Sequence, residues 1–278
     1  MTPIPRAVAL GGLTLTLGCG DTPVFRPDAL TAVAPLSTEQ VNRLGALRIF
    51  FGHQSVGGNL MDGLADLARE GEPMPLTVAR TLHLESGAAG IVAHEWVGEN
   101  GAPTSKLVAV GEALAGPARA ANVVLVKFCY SDFGADTDPD ALFTAYQRQI
   151  AAWQVRFPGV TFVHVTAPTV RPEGVATRWL RTLRGRFTMQ ARAVKVARYN
   201  ARLREAYGGR APVFDLAAFE AEGPDGSSSR RQLGGLDVPL LYPAFTNDGE
   251  HLNEIGRRAV ARRFLHVLAD SVAPIVGR

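Results

Sequence analysis

Short apolar runs alternate with segments of helical period from residue 46 to residue 273, and this alternation constrains the fold more than any other feature. "ALRIFF" (46–51), "LTVARTLHL" (76–84), "NVVLVKF" (122–128), "VTFVHVTAP" (160–168) and "APVFDLA" (211–217) read as strands. Between and after them, "NLMDGLADLARE" (59–70), "SKLVAVGEALA" (105–115), "DPDALFTAYQRQIAAWQVRF" (138–157), "AVKVARYNARLREAY" (193–207) and "NEIGRRAVARRFLHVLADSVA" (253–273) carry helical spacing. Asp138 and Pro139 form a natural start for the third of these helices. Strands alternating with helices predict a three-layer α/β domain with a mainly parallel sheet. Ligands of such sheets bind beyond the carboxyl ends of the strands.

The chain of 278 residues is long enough for a substantial core, and 46% apolar with 20% charged residues is ordinary globular composition. A net charge of +3, with no dense basic stripe interleaved with aromatics, gives no case for a nucleic-acid partner. The N-terminus reads differently from the rest. One early charge, Arg6, precedes an apolar run from Ala7 to Leu17 and then Gly18-Cys19. That run is too short to span a bilayer but suits the core of an export signal. A small residue followed by cysteine at its end resembles a bacterial lipoprotein signal, which implies lipidation of Cys19, a membrane tether and a place at the cell envelope. The alternative is an ordinary export signal in which Cys19 is incidental. Residues 1–19 are therefore read as signal, 20–44 as a Pro-, Thr- and Ala-rich leader and 45–278 as the domain. Cys129 is the one other cysteine, so a lipidated Cys19 would leave no intramolecular disulfide.

Three polar segments stand where the fold rule places a site: Gly52 to Gly57 after the first strand, "KFCYSDF" (127–133), and "TNDGEHLNEIG" (246–256) before the last helix. Asp248 and His251, three residues apart on a loop entering a helix, can face one cavity, the carboxylate fixing the imidazole tautomer. Such a histidine needs a nucleophile, and Ser55 is the natural candidate. Ser55 is equally the kind of residue that caps a helix.

Strand–turn–serine at one end of the domain, with Asp-x-x-His-Leu-Asn at the other, resembles the SGNH (GDSL-like) hydrolases. The resemblance implies a flavodoxin-like α/β/α fold around a mainly parallel five-stranded sheet. It implies esterase chemistry without cofactor, including removal of O-acetyl groups from carbohydrates. Ser55 matches the nucleophile, His251 the base and Asp248 the residue that orients it. "VGENGAPTSK" (97–106) stands where a glycine N–H faces the oxyanion, with Gly98 favoured over Gly101. The family's third block supplies an asparagine, but this chain has Cys129-Tyr130-Ser131-Asp132 there. The candidates to fill that place are the Ser55 N–H, the hydroxyls of Ser131 and Tyr130, and the amides of Gln54 and Asn100. The competing readings are a catalytically impaired carbohydrate-binding or scaffold lipoprotein of the same fold, and an acyltransferase using the same triad.

Other residues carry two readings each. His53 is a substrate contact or a structural histidine. His53, His83 and His94 match no metal-ligand spacing. Cys129 is an alternative nucleophile or a buried thiol. Lys127 points into the site or pairs with a buried acid such as Asp132. "RPEGVATRWLRTLRGRF" (171–187), with five arginines and Trp179, is a solvated helical excursion or a rim over the site for anionic or sugar substrates.

Overall fold

The computed structural model describes residues 33–272. The expected export signal, Cys19 and most of the leader lie outside the described residues. In order, the elements are α1 (Thr38–Gly45), β1 (Arg48–His53), α2 (Val56–Arg69), β2 (Thr77–Arg80), β3 (Ile91–Trp96), α3 (Pro103–Ala115) and β4 (Val123–Val126). A short 3-10 turn (Tyr130–Asp132) leads to α4 (Pro139–Arg156), β5 (Thr161–Val165), α5 (Val175–Leu183), α6 (Met189–Tyr207), β6 (Val213–Phe214) and α7 (Leu216–Ala221). The hairpin β7 (Arg230–Leu233)–β8 (Leu236–Pro239), a second 3-10 turn (Pro243–Phe245) and α8 (Glu254–Asp270) complete the described chain.

Six strands form one sheet in the order β2-β3-β1-β4-β5-β6, and every pairing in it is parallel. Without the edge strand β2, the other five run in the 2-1-3-4-5 order of flavodoxin-like sheets. The expectation of five strands is therefore corrected to six. The strand that the sequence reading lacks is β3, "IVAHEW", which lies between β2 and β1 and pairs with both. Its apolar start is short and His94-Glu95 interrupts it, because the strand ends in the polar region at the sheet's carboxyl edge.

The central strands are dry on both faces. β4 is buried throughout, and Ile49, Phe50 and Phe51 of β1 are fully buried. Parallel strands covered by helices on both sides require this near-continuous apolar character. Leader residues 38–44 prove to be helical: a Ser37–Gln40 capping box opens α1, and Leu44 is fully buried where α1 packs on α8. Asp138 caps α4 as the sequence predicts, accepting N–H bonds from Asp140 and Ala141. Two consecutive glycines, Gly234 and Gly235, turn the β7–β8 hairpin with positive φ at both positions.

β1 has neighbours on both sides whose chains depart in opposite directions along the sheet, so its carboxyl end lies at the topological switch point. Ser55 stands two residues beyond that end.

Candidate active site

β1 runs on to His53, and α2 begins at Val56, so only Gln54 and Ser55 make the turn between strand and helix. Ser55 has φ 45° and ψ −108°, and it is the one non-glycine with positive φ among the described residues. Gly57 makes so abrupt a turn feasible, since a Cβ there would come within 2.4 Å of the His53 side chain. Ser55 occupies the N-cap position of α2, but its side chain makes no capping hydrogen bond. Its hydroxyl instead lies 2.7 Å from His251 Nε2.

His251 comes from the loop before α8. Asp248 Oδ2 lies 2.8 Å from its Nδ1, while Asp248 Oδ1 accepts the backbone N–H groups of Glu250 and His251 at 2.8 Å. Partial burial pushes the Asp248 carboxyl upward, yet these hydrogen bonds and the imidazole outweigh it and hold the group well below the usual carboxylate range. An ionised Asp248 makes Nδ1 the protonated nitrogen, so Nε2 accepts from the Ser55 hydroxyl. Thr246 Oγ1 accepts the Gly249 N–H, and the Gly249 carbonyl accepts the Arg171 N–H, both at 2.8 Å. The loop is thus fixed from both sides. The His251 and Asp248 side chains remain 40% and 55% exposed, so the site is open to solvent.

Several other candidates prove to be occupied elsewhere. Gln54 donates to the carbonyls of Val97 (3.3 Å) and Gly98 (2.9 Å), clamping the 97–98 backbone instead of facing a substrate. The Gly101 N–H is bonded to Asp132 Oδ1 at 2.9 Å, whereas Asn100 gives only its Oδ1, to Lys106 Nζ at 3.0 Å, and its amide N–H groups make no bond among the described residues. His53 is fully buried with Nε2 3.0 Å from His94 Nδ1, and burial, then Lys127, His94 and Arg80, push its pKa down to about 2. A neutral buried imidazole of this kind supports the turn and does not contact substrate. The Tyr130 hydroxyl donates to Glu250 Oε2 at 2.6 Å, and burial followed by the Glu250 carboxylate raises its pKa.

Other candidates stay uncommitted. Gly98 has φ 58° and an N–H without a hydrogen bond among the described residues, and a Cβ there would lie 2.5 Å from the Lys106 backbone nitrogen. Ser131 Oγ is buried and has no partner among the described residues. The Ser55 N–H is likewise unpaired among them.

The expected Lys127–Asp132 pair does not form. Asp132 is ion-paired with Lys106, both side chains being fully buried, and Lys127 Nζ donates to the Phe128 carbonyl and to Cys129 Sγ at 3.3 Å. A lysine within the apolar stripe 106/110/113 of α3 is the signal that could have found the true partner. Asp132 also accepts the N–H groups of Gly101 and Cys129, so one buried carboxylate ties the 98–101 loop to the 129–132 turn. Cys129 is fully buried, and His251 is engaged by Ser55 instead. No group of three or more His, Cys, Asp and Glu side chains is placed to hold a metal among the described residues. Segment 171–187 contains α5, and Arg171 joins it to the Asp248–His251 loop.

No family model matches the chain, and no curated protein matches it. Solved structures do. A Bacteroides fragilis NCTC 9343 protein assigned as an acylhydrolase is 15% identical, with 84% of this chain and 93% of that one covered and a TM-score of 0.49. The lipase/acylhydrolase from Enterococcus faecalis is 14% identical over 82% and 98%, TM-score 0.44. The periplasmic domain of the lipopolysaccharide acetyltransferase of Salmonella ser. Paratyphi A is 14% identical over 85% and 92%, TM-score 0.42. The chain thus has Ser55 behind the first strand of a flavodoxin-ordered parallel sheet and Asp248–His251 ahead of the last helix, in an α/β/α fold similar to that of these structures.

Proposed function

We propose that the chain is a serine esterase that cleaves carboxylic esters, O-acetyl groups on carbohydrates among them. The observation that carries this reading is the continuous chain Ser55 Oγ–His251–Asp248, with bonds of 2.7 and 2.8 Å, built on a strained serine that caps nothing. A helix cap needs neither the strain nor the imidazole.

In the proposed reaction Ser55 Oγ attacks the ester carbonyl while His251 Nε2 takes its proton. Asp248 stabilises the resulting imidazolium, which then protonates the departing alcohol. Water, deprotonated by His251, releases the acid and restores the serine. The unpaired N–H groups of Ser55 and Gly98 would hold the oxyanion. Ser131 Oγ, a buried hydroxyl without a partner, would be the third donor in the place of the family's asparagine. Each such donor is typically worth about 100- to 1000-fold in turnover.

p-Nitrophenyl acetate hydrolysis by the purified protein tests the reading. Ser55→Ala should reduce the rate to background, and Asp248→Asn should lower kcat by orders of magnitude. Equal rates for the native protein and Ser55→Ala would remove the proposal. Export and lipidation at Cys19 stand as a companion proposal, tested by palmitate labelling that Cys19→Ser should abolish and that an unlipidated chain would lack from the start.

A further inference from the structure

Large apolar side chains are left in solvent at or beyond the carboxyl ends of three strands, the end of the sheet that carries Ser55. Leu82 follows β2, Trp96 ends β3, and Trp179, Leu180 and Leu183 lie on α5, in the connection that leaves β5. These five are between 37% and 63% exposed. Among the described residues only Val108 and Val155, isolated on α3 and α4, are comparable. At about 100° per residue, positions 179, 180 and 183 fall within an arc of about 100° on one side of α5. Single exposed apolar residues need no explanation, but three large ones on one side of a nine-residue helix do.

The same segment has one sign of charge. From residue 174 to residue 204 the chain has nine Lys and Arg and no Asp or Glu. Arg198, Arg202 and Arg204 are neutralised by Asp140, Glu205 and Asp215, and Lys195 is engaged by the carbonyls of Gly134, Ala135 and Thr137. Arg184 and Arg186, exposed just beyond α5, have no ion pair among the described residues. The segment is attached to the candidate site: Arg171 N–H reaches the Gly249 carbonyl, and Arg192 lies 5.9 Å over the Tyr130 ring, itself 6.1 Å from the His251 ring.

We propose that this end of the molecule docks on an anionic lipid bilayer. In the docked state α5 lies in the interface, with Trp179, Leu180 and Leu183 at the acyl boundary and Arg184 and Arg186 among the phosphates. A tryptophan–leucine face flanked by unpaired arginines is the composition that such an interface selects. An acidic polysaccharide would use the arginines but would leave the leucines in water. Docking in this sense places Ser55 toward the membrane surface. It does not depend on the esterase reading, because binding is measured without an ester.

The full chain carrying Cys19→Ser, so that no acyl anchor contributes, is sedimented with vesicles of phosphatidylcholine alone or mixed with phosphatidylglycerol. Binding should require the anionic lipid and weaken with salt. Trp179→Ala/Leu180→Ala/Leu183→Ala and, separately, Arg184→Glu/Arg186→Glu should each weaken it by about tenfold or more. Brominated lipid should quench tryptophan emission in the parent and much less in Trp179→Phe. All of these changes are on exposed positions, so thermal unfolding should stay at the parent value. Equal binding by parent and variants, no binding to either vesicle, or binding to a soluble acidic polysaccharide but not to vesicles would each overturn the proposal.

Discussion

Replacing Ser55 by glycine and by alanine separates a strained nucleophile turn from an ordinary helix cap. With φ 45° and ψ −108°, Ser55 lies in backbone territory that costs a non-glycine residue about 1–3 kcal/mol. Both substitutions delete the bond to His251 equally, and neither deletes a capping bond, since Ser55 makes none. Alanine keeps the strain and glycine releases it. Glycine surpasses alanine at ordinary N-caps too, so the same pair at Thr188, which caps α6 with φ −95°, sets the baseline. The Gly–Ala gap at Ser55 should exceed the gap at Thr188 by about 1–3 kcal/mol, and each kcal/mol shifts Tm by about 2–4 °C in a domain of this size. Paired thermal and urea unfolding of the four variants measures the excess. Both Ser55 variants should be inactive, so the glycine variant would combine gained stability with lost turnover. Equal gaps at the two positions would refute the strain argument, and with it the claim that the turn is shaped to present a serine.

Three further outcomes follow from the buried polar groups. Ser131→Ala should leave Tm unchanged, because the hydroxyl has no partner to lose, while lowering kcat about 100-fold or more with little change in KM; an unchanged kcat would remove it from the oxyanion site. Lys106→Met should destabilise by about 3–5 kcal/mol, since Asp132 is left buried without its cation, and adding Asp132→Asn should recover part of the loss in urea unfolding. Stability should peak near pH 6.5. Burial holds the folded-state pKa of His53 at about 2 and of His164 at about 4, so the unfolded chain binds more protons as pH drops below 6.5 and stability falls. Glu220 has the opposite sign: burial raises it to about 8, so its contribution is lost as pH rises from about 4.5 through 8. The histidine slopes dominate below pH 6.5 and the glutamate slope above it. Glu220→Gln should flatten the alkaline limb, and a native limb already flat between pH 6.5 and 8 would contradict the assignment.

The layered architecture was legible because parallel strands buried on both faces leave long apolar runs, as β4 and β5 do. β3 was not, because half of its six residues face the polar edge of the sheet and its period fades into His94-Glu95. The β7–β8 hairpin was legible in principle from Gly234-Gly235, but its outward residues are polar and carry no core signal. Ser55, Asp248 and His251 could be named from residue type and chain order, and the structure brings the three within hydrogen-bond reach. The oxyanion candidates could not be separated that way. Gln54, Asn100, Gly101 and Ser131 differ only in where their polar groups already point: the donors of Gln54 and Gly101 are committed to Gly98 and Asp132, while Asn100 gives only its oxygen to Lys106. Lys106 was hidden for a related reason: a helix pattern does not reveal that one member of an apolar stripe is a lysine neutralised from another segment.

The central claim is that Ser55 is a nucleophile activated by His251. A fluorophosphonate, which phosphonylates activated serines, tests it directly when the labelled protein is digested and its peptides weighed by mass spectrometry. The account predicts a single adduct on the peptide containing Ser55, absent from Ser55→Ala and strongly reduced in His251→Ala. Labelling at another residue, or none in the folded native protein, would contradict it.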